Sequence, residues 1–232
     1  MRITVFGASG LLGKPLMREW KEDSVIGLSS RDADIRDEKR VTAVVREQRP
    51  DWIVLAAAYT DVDGCESNPQ SVYGRSKAEA EIRLLELLPQ CCIVRTSWLF
   101  GLGGKCFPDT ILKLAASRPA LDVVNDQRGS PTYTDDLAQT IIQLCRKNAD
   151  GIVHATNLGD CTWFEFAEEI IRGAGLNVAV RPVSSQQMAR PAPRPAYSVL
   201  SPDRLCGFGI TMPSWRDALR RYLHGRGTSG AQ

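Results

Sequence analysis

A short apolar run, Ile3-Thr-Val-Phe6, passes directly into Gly7-Ala-Ser-Gly10-Leu-Leu-Gly13 and then into a helical pattern over Leu11 to Glu22. This strand, glycine turn and helix constrain the fold more than any other feature of the chain. Glycines permit a turn too tight for side chains and let the backbone approach a pyrophosphate, which rests on the amides opening the helix. Gly7, Gly10 and Gly13 are therefore candidate cofactor residues. Their spacing is G-x-x-G-x-x-G, not the G-x-G-x-x-G of ordinary dehydrogenases.

The rest of the chain continues the alternation. Val25 to Leu28, Trp52 to Ala58, Cys92 to Arg95 and Gly151 to His154 read as strands. Glu38 to Gln48, Ser76 to Leu88, Phe107 to Ser117, Asp135 to Lys147, Trp163 to Gly173 and Ser214 to Leu223 read as helices. Near-continuous Val/Ile/Leu strands between helices predict an α/β fold, a Rossmann-like doubly wound parallel sheet covered on both faces. Three prolines in Arg190-Pro-Ala-Pro-Arg-Pro195 impose an extended segment. The stretch 225–232, with its glycines and serine, is expected to be a disordered tail.

With 29 basic and 27 acidic residues the net charge is +2, too small for an electrostatic nucleic-acid or membrane surface. No apolar run approaches the roughly 18 residues of a bilayer span, and the strand pattern at Met1 leaves no signal peptide to expect. The 7 cysteines are odd in number and lack C-x-x-C spacing, against a disulfide framework or structural zinc. A reducing cytoplasm is the expected compartment, with no metal site. His154 and His224 read as structural.

An NAD fold places an acid near the tip of the second strand, about 20 residues past the glycines. Here the tip is Leu28-Ser29-Ser30-Arg31, with no acid before Asp32. Hydroxyls and a guanidinium suit a 2′-phosphate, so NADP(H) is favoured over NAD(H); on the plain reading Arg31 is a solvated loop charge. Tyr73 and Lys77 stand at i and i+4 and share a helix face. A nearby ammonium lowers a phenol's pKa from about 10 and suits it to proton transfer in hydride chemistry.

The glycine turn with Y-x-x-x-K resembles the extended short-chain dehydrogenases/reductases. Four longer strings narrow the likeness: Arg49-Pro-Asp-Trp-Ile-Val-Leu-Ala-Ala-Ala-Tyr-Thr-Asp-Val-Asp63, Arg95-Thr-Ser-Trp-Leu-Phe-Gly101, Asn125-Asp-Gln-Arg-Gly-Ser-Pro-Thr132 and Arg190-Pro-Ala-Pro-Arg-Pro-Ala-Tyr-Ser198. From Met1 to Leu223 the chain resembles the dTDP-4-dehydrorhamnose reductase family. That resemblance implies NADPH-dependent reduction of a dTDP-linked 4-keto deoxysugar. Gly10, Leu11 and Leu12 would meet the pyrophosphate; Ser29, Asp34 and Ile35 would line the adenosine side; Ala58, Tyr59 and Thr60 would border the cofactor's path. Tyr73 would be the proton donor and Lys77 would hold the nicotinamide ribose. Trp98 would stack on or cap the sugar nucleotide, or serve as a core aromatic at a strand end. The implied division is a cofactor domain, 1–101 plus 135–157, and a small substrate lobe, 102–134 plus 158–224. A homodimer is allowed.

The family's pattern also carries a helix, a strand with a Ser/Thr-Thr-Asp run and a loop between the third strand and Y-x-x-x-K. Here 13 residues, Thr60 to Val72, separate Tyr59 from Tyr73, so the fold is expected to be one helix-plus-strand unit short. Ser71 and Thr60 are the nearby hydroxyls. One way to close such a sheet is to pair the fourth strand directly beside the third in a right-handed crossover, moving the Tyr73 helix by about 4.8 Å. The second reading, from a different class, is a catalytically impaired NADP-binding regulatory or scaffold protein, such as the regulatory subunit of methionine adenosyltransferase, which shares the fold family.

Overall fold

A computed structural model describes residues 1–57, 72–188 and 194–229, with only the backbone described for 72–76 and 227–229. The strand β1 (Arg2–Phe6) enters the glycine turn, and the helix α1 (Gly13–Glu19) leaves it. Then come β2 (Ser24–Leu28), α2 (Glu38–Gln48), β3 (Trp52–Leu55), α3 (Val72–Leu87) and β4 (Cys92–Arg95). β1 pairs in parallel with β2 on one side and β3 on the other. The helix α5 (Thr134–Arg146) precedes β9 (Gly151–His154), which pairs in parallel with β4.

Direct pairing of the fourth strand beside the third does not occur. Among the described residues the sheet is β2-β1-β3, and β4 pairs only with β9. The reason lies in the core. Val5, Val54 and Ala56 share one hydrophobic cluster with Cys92, Val94, Val153 and the α5 residues Leu137, Ile141 and Leu144. Arg18 of α1 also meets Asp135 of α5 at 2.6 Å. Sliding β4 and β9 over by a strand spacing would tear that shared packing for the gain of one short ladder.

The second core belongs to the lobe. It gathers β5 (Leu99–Phe100), α4 (Phe107–Ala115), β6 (Ala120–Val124), β8 (Thr132–Tyr133), α6 (Trp163–Gly173) and α9 (Trp215–Ser229). Phe100 sits among Tyr133, Phe166 and Tyr222 at centroid distances of 5.5, 5.6 and 5.5 Å, the separations that edge-to-face and offset aromatic pairs prefer. α6 opens on a capping box, Thr162 accepting from the Glu165 amide and Glu165 from the Thr162 amide. A buried network ties the two cores. Asn157 donates to Asp136 at 2.7 Å and accepts from the Tyr133 amide, and Arg221 grips Asp136 with two bonds of 2.8 and 2.7 Å.

Three features differ from the sequence expectations. β6 pairs in parallel with β11 (Ala179–Val183), a pair that the polar, proline-bearing Ala-Val-Arg-Pro-Val pattern hides. Leu205, Ile210 and Met212 pack into the first core rather than the lobe. α9 runs to Ser229, so the tail expected from Gly225 is helical there; Gly225 itself packs toward Leu102, and a helix already docked by Trp215, Leu219 and Tyr222 simply propagates. Of the extended segment at 190–195, residues 190–193 lie outside the described residues.

Candidate cofactor and sugar-nucleotide site

The glycine turn closes on the ends of β2 and β3. The Gly7 and Ala8 amides donate to the Leu28 carbonyl at 2.8 and 3.1 Å. Gly7 has φ 85°, and a Cβ there would come within 2.8 Å of the Ala56 and Ala57 backbone. A Cβ on Gly13 would sit 2.1 Å from the Gly7 carbonyl oxygen, so α1 can leave the turn this steeply only from glycine. Gly10 differs: its added Cβ would meet the Gly7 oxygen at 3.1 Å and nothing else within 4 Å. Its outer side is open, as a backbone that admits a pyrophosphate requires. Leu12 caps α1 without a side-chain hydrogen bond; the Lys14 amide donates to the Gly10 carbonyl at 3.1 Å and Pro15 has no N–H, so a ligand here would meet the amides before Lys14.

At the adenosine end an acid is present after all. The turn after β2, with the Asp32 and Ala33 amides on the Ser29 carbonyl, brings the Asp32 carboxylate back onto the Ser29 amide at 2.8 Å and hydroxyl at 2.6 Å. Those bonds hold Asp32 below the ordinary carboxylate range. Asp34 is gripped by Arg36 through bonds of 2.6 and 3.0 Å, and its pKa falls to about 2. Arg31 and Ile35 are exposed. The tip of β2 therefore offers Asp32 with Ser29, and Arg31, Arg36 and Arg40 around it.

A second glycine loop, which sequence reasoning passed over, lies across the first. The Lys14 Nζ donates to the Gly103 carbonyl at 2.7 Å, and Gly104 packs against Leu11. The signal was available in Gly101-Leu-Gly-Gly104. Just past β4 the Thr96 hydroxyl is buried without a hydrogen-bond partner, at the carboxyl end of a parallel strand, where such sheets take ligands.

Trp98 adopts φ 47° and stacks on Trp163 with centroids 3.5 Å apart and planes 10° from parallel. Gly129 allows the contact, since a Cβ there would reach the Trp98 ring at 2.6 Å. Beside it Arg128 binds Asp160 and Glu165 and exchanges backbone bonds with Ala196 and Ser198. The structure thus gathers Gly7, Gly10, Leu11, Leu12 and Gly13, sets Ser29 at their edge, and places Trp98 in the lobe wall. Ala58, Tyr59 and Thr60 lie outside the described residues. Tyr73 is in the first turn of α3, its side chain likewise outside them. Lys77 is exposed.

The helix carrying Tyr73 and Lys77 is poorly seated. From Lys77 to Leu87 only Glu81 and Leu85 are better than exposed. Glu81 accepts two bonds from Arg95 of β4, at 3.0 and 2.6 Å.

The RmlD substrate binding domain family matches this chain over residues 1–70 and 66–226, two stretches that meet at 66–70. The chain belongs to the dTDP-4-dehydrorhamnose reductase family. It is 34% identical to the spore coat polysaccharide biosynthesis protein SpsK of Bacillus subtilis over 280 aligned positions, covering 98% of this chain and 99% of that one. Those 280 positions exceed the 232 residues of the chain by 48. A dTDP-4-dehydrorhamnose reductase from Clostridium acetobutylicum superposes with a TM-score of 0.92 at 31% identity, over 98% of this chain and 100% of that chain. One from Bacillus anthracis, in complex with NADP, gives 0.92 at 32%, over 97% and 99%. The SpsK alignment is thus longer than this chain, and the family match is divided at 66–70. No described helix is long and apolar enough to cross a membrane.

Proposed function

We propose that this chain reduces the C4 keto group of dTDP-4-dehydro-L-rhamnose to dTDP-L-rhamnose with NADPH. The observation carrying the reading is the glycine turn, with Gly7 and Gly13 locked against backbone while Gly10 stays open. The cofactor, when bound, supplies the hydride for C4. Tyr73 donates a proton to the C4 oxygen, and Lys77, four residues along the helix, holds the nicotinamide ribose and favours the phenolate by its charge. Ser29 and Arg31 receive the adenosine end, with Asp34 and Ile35 beside them; Ala58, Tyr59 and Thr60 border the path to the nicotinamide. Trp98, braced by Trp163, caps the sugar nucleotide. The division of work runs cofactor on 1–101 with 135–157 and substrate on 102–134 with 158–224, with Leu205, Ile210 and Met212 joining the first core and Phe100 the second, in the cytoplasm.

The break between β3 and β4 and the exposed α3 favour a second reading, an NADP-binding regulatory or scaffold homologue with weak turnover. A misplacement of about 1 Å at a reacting group costs on the order of 10²-fold in rate. The deciding experiment follows NADPH oxidation with dTDP-4-dehydrorhamnose, beside Tyr73→Phe, and NADPH binding by fluorescence. Turnover that vanishes in Tyr73→Phe supports the reductase. NADPH binding without turnover supports the second reading, and a folded sample that binds no NADPH rejects both.

A further inference from the structure

The loop Gly101-Leu-Gly-Gly104 is fixed from the lobe's side. β5 follows Trp98 directly and pairs in parallel with β8, Leu99 beside Thr132 and Phe100 beside Tyr133. Phe100 is wholly buried in the lobe core. Gly101 lies flush on the start of α5, where a Cβ would come 1.9 Å from the Thr134 hydroxyl oxygen. Little slack is therefore left between Trp98 and Gly101. The chain then turns at Gly103, with φ 84°.

Two contacts join this loop to the cofactor turn, and they come from the residues on either side of Leu12 and Gly13. The Lys14 Nζ donates to the Gly103 carbonyl at 2.7 Å, a bond strengthened by the ammonium charge. Gly103 also makes room for the lysine stem, since a Cβ there would meet the Lys14 Cδ at 3.2 Å and Nζ at 3.1 Å. Gly104 packs on Leu11, whose side chain an added Cβ would approach to 2.9 Å. The Lys14 backbone is itself held, because Gly13 is seated against the Gly7 carbonyl and the Lys14 amide is bonded to Gly10. A short run of fixed contacts thus leads from the glycine turn through Lys14, Gly103, Gly101 and Phe100 to Trp98.

We propose that Lys14 is a positioning residue: by holding Gly103 it fixes the wall that carries Trp98 against the turn that receives the cofactor, so that NADPH and the sugar nucleotide bind cooperatively. This rests on the reductase reading. A pyrophosphate on the amides before Lys14 orders the glycine turn, and a sugar nucleotide against Trp98 orders the wall. With the two ends tied through Lys14 and Gly103, ordering either lowers the cost of ordering the other, and the help is equal in both directions. Lys14 acts through a backbone carbonyl and not on the reacting atoms, so its loss is felt in how each ligand aids the other more than in either alone.

The test titrates the whole chain with NADPH by fluorescence, with and without dTDP in excess. In the unaltered chain dTDP should tighten NADPH binding about fivefold or more. Lys14→Met should bring that factor close to one and speed amide exchange across 101–104. Lys14→Arg keeps a cationic donor and should retain most of the factor. Lys105→Met removes an exposed cation of the same loop and should leave the factor unchanged, which separates the tie from general attraction of anionic ligands. The proposal is overturned by an undiminished factor in Lys14→Met, by an equal loss of the factor in Lys105→Met, or by the absence of any dTDP effect in an unaltered chain that binds NADPH. A folded chain that binds no NADPH overturns the reductase reading, and the tie with it.

Discussion

The lobe and the α3 region draw on similar apolar composition and end in opposite states. In the lobe, Phe100, Phe166, Trp215, Leu219 and Tyr222 are essentially without exposure. The helix bearing Tyr73 and Lys77 leaves Ile82, Leu84 and Leu87 in solvent. The lobe's elements close around one shared aromatic core, whereas α3 is tied to β4 through Glu81 and Arg95. An amphipathic helix is held by the surface it covers, not by its own propensity, so a shortage of sheet becomes a shortage of anchoring for the residues expected to do the chemistry.

The contrast is broken most forcefully by truncation in each region. Phe166→Ala should cost about 3–5 kcal/mol in denaturant unfolding, while Leu84→Ala should stay within about 0.5 kcal/mol. Equal costs would mean that α3 is packed in solution as tightly as the lobe. Next in size is a repair. Inserting the SpsK segment at 66–70 should raise turnover of the 4-keto sugar by on the order of 10²-fold, with little change in NADPH affinity, because the glycine turn is already formed. A repaired chain no faster than the original would separate the break from the rate.

Much of this contrast was legible in the residues. Gly7, Gly10 and Gly13 announce the turn because each answers a local steric demand, and the strands β1, β4 and β9 are short apolar runs that no other element explains. The shortage before Tyr73 is likewise countable. Its outcome was not, because whether β4 closes on β3 depends on Val54, Val94 and Leu137 sharing one core, a relation among residues far apart in the chain. The same distance hid Trp163 behind Trp98 and Gly104 over Leu11. Asp32 was set aside by counting along β2, although a tight turn returns its carboxylate to Ser29. β11 was missed since an edge strand of the lobe needs only every second residue apolar, and Arg181-Pro182 masks even that.

A smaller test asks whether the well-formed half of the site depends on its glycines as the geometry demands. Gly13→Ala places a methyl 2.1 Å from the Gly7 carbonyl oxygen, backbone that cannot rotate aside. Overpacking of this kind costs about 1–3 kcal/mol, and the shift of α1 should weaken NADPH binding measurably in fluorescence titration. Gly10→Ala, whose added carbon meets only the Gly7 carbonyl oxygen, at a tight 3.1 Å, should cost less stability than Gly13→Ala and lower NADPH affinity. Equal loss of stability in both would put the turn's role in folding rather than in binding.

The smallest effect concerns what little does hold α3. Bonds from Arg95 keep the Glu81 carboxyl below its ordinary value of 4.5. A carboxyl with a depressed folded-state pKa contributes stability above its unfolded pKa and loses it as pH falls through the folded value. Protection of the α3 amides, corrected for intrinsic exchange, should therefore hold steady from neutral pH to about 4.5 and decline below it. The pair is partly solvated, so the contribution is about 0.2–1 kcal/mol. Glu81→Gln should flatten the profile at its low-pH level. The lobe, closed by apolar contacts, should keep its protection through the range where α3 loosens; if both decline together, α3 is not an independently weak element and the two regions are one cooperative unit.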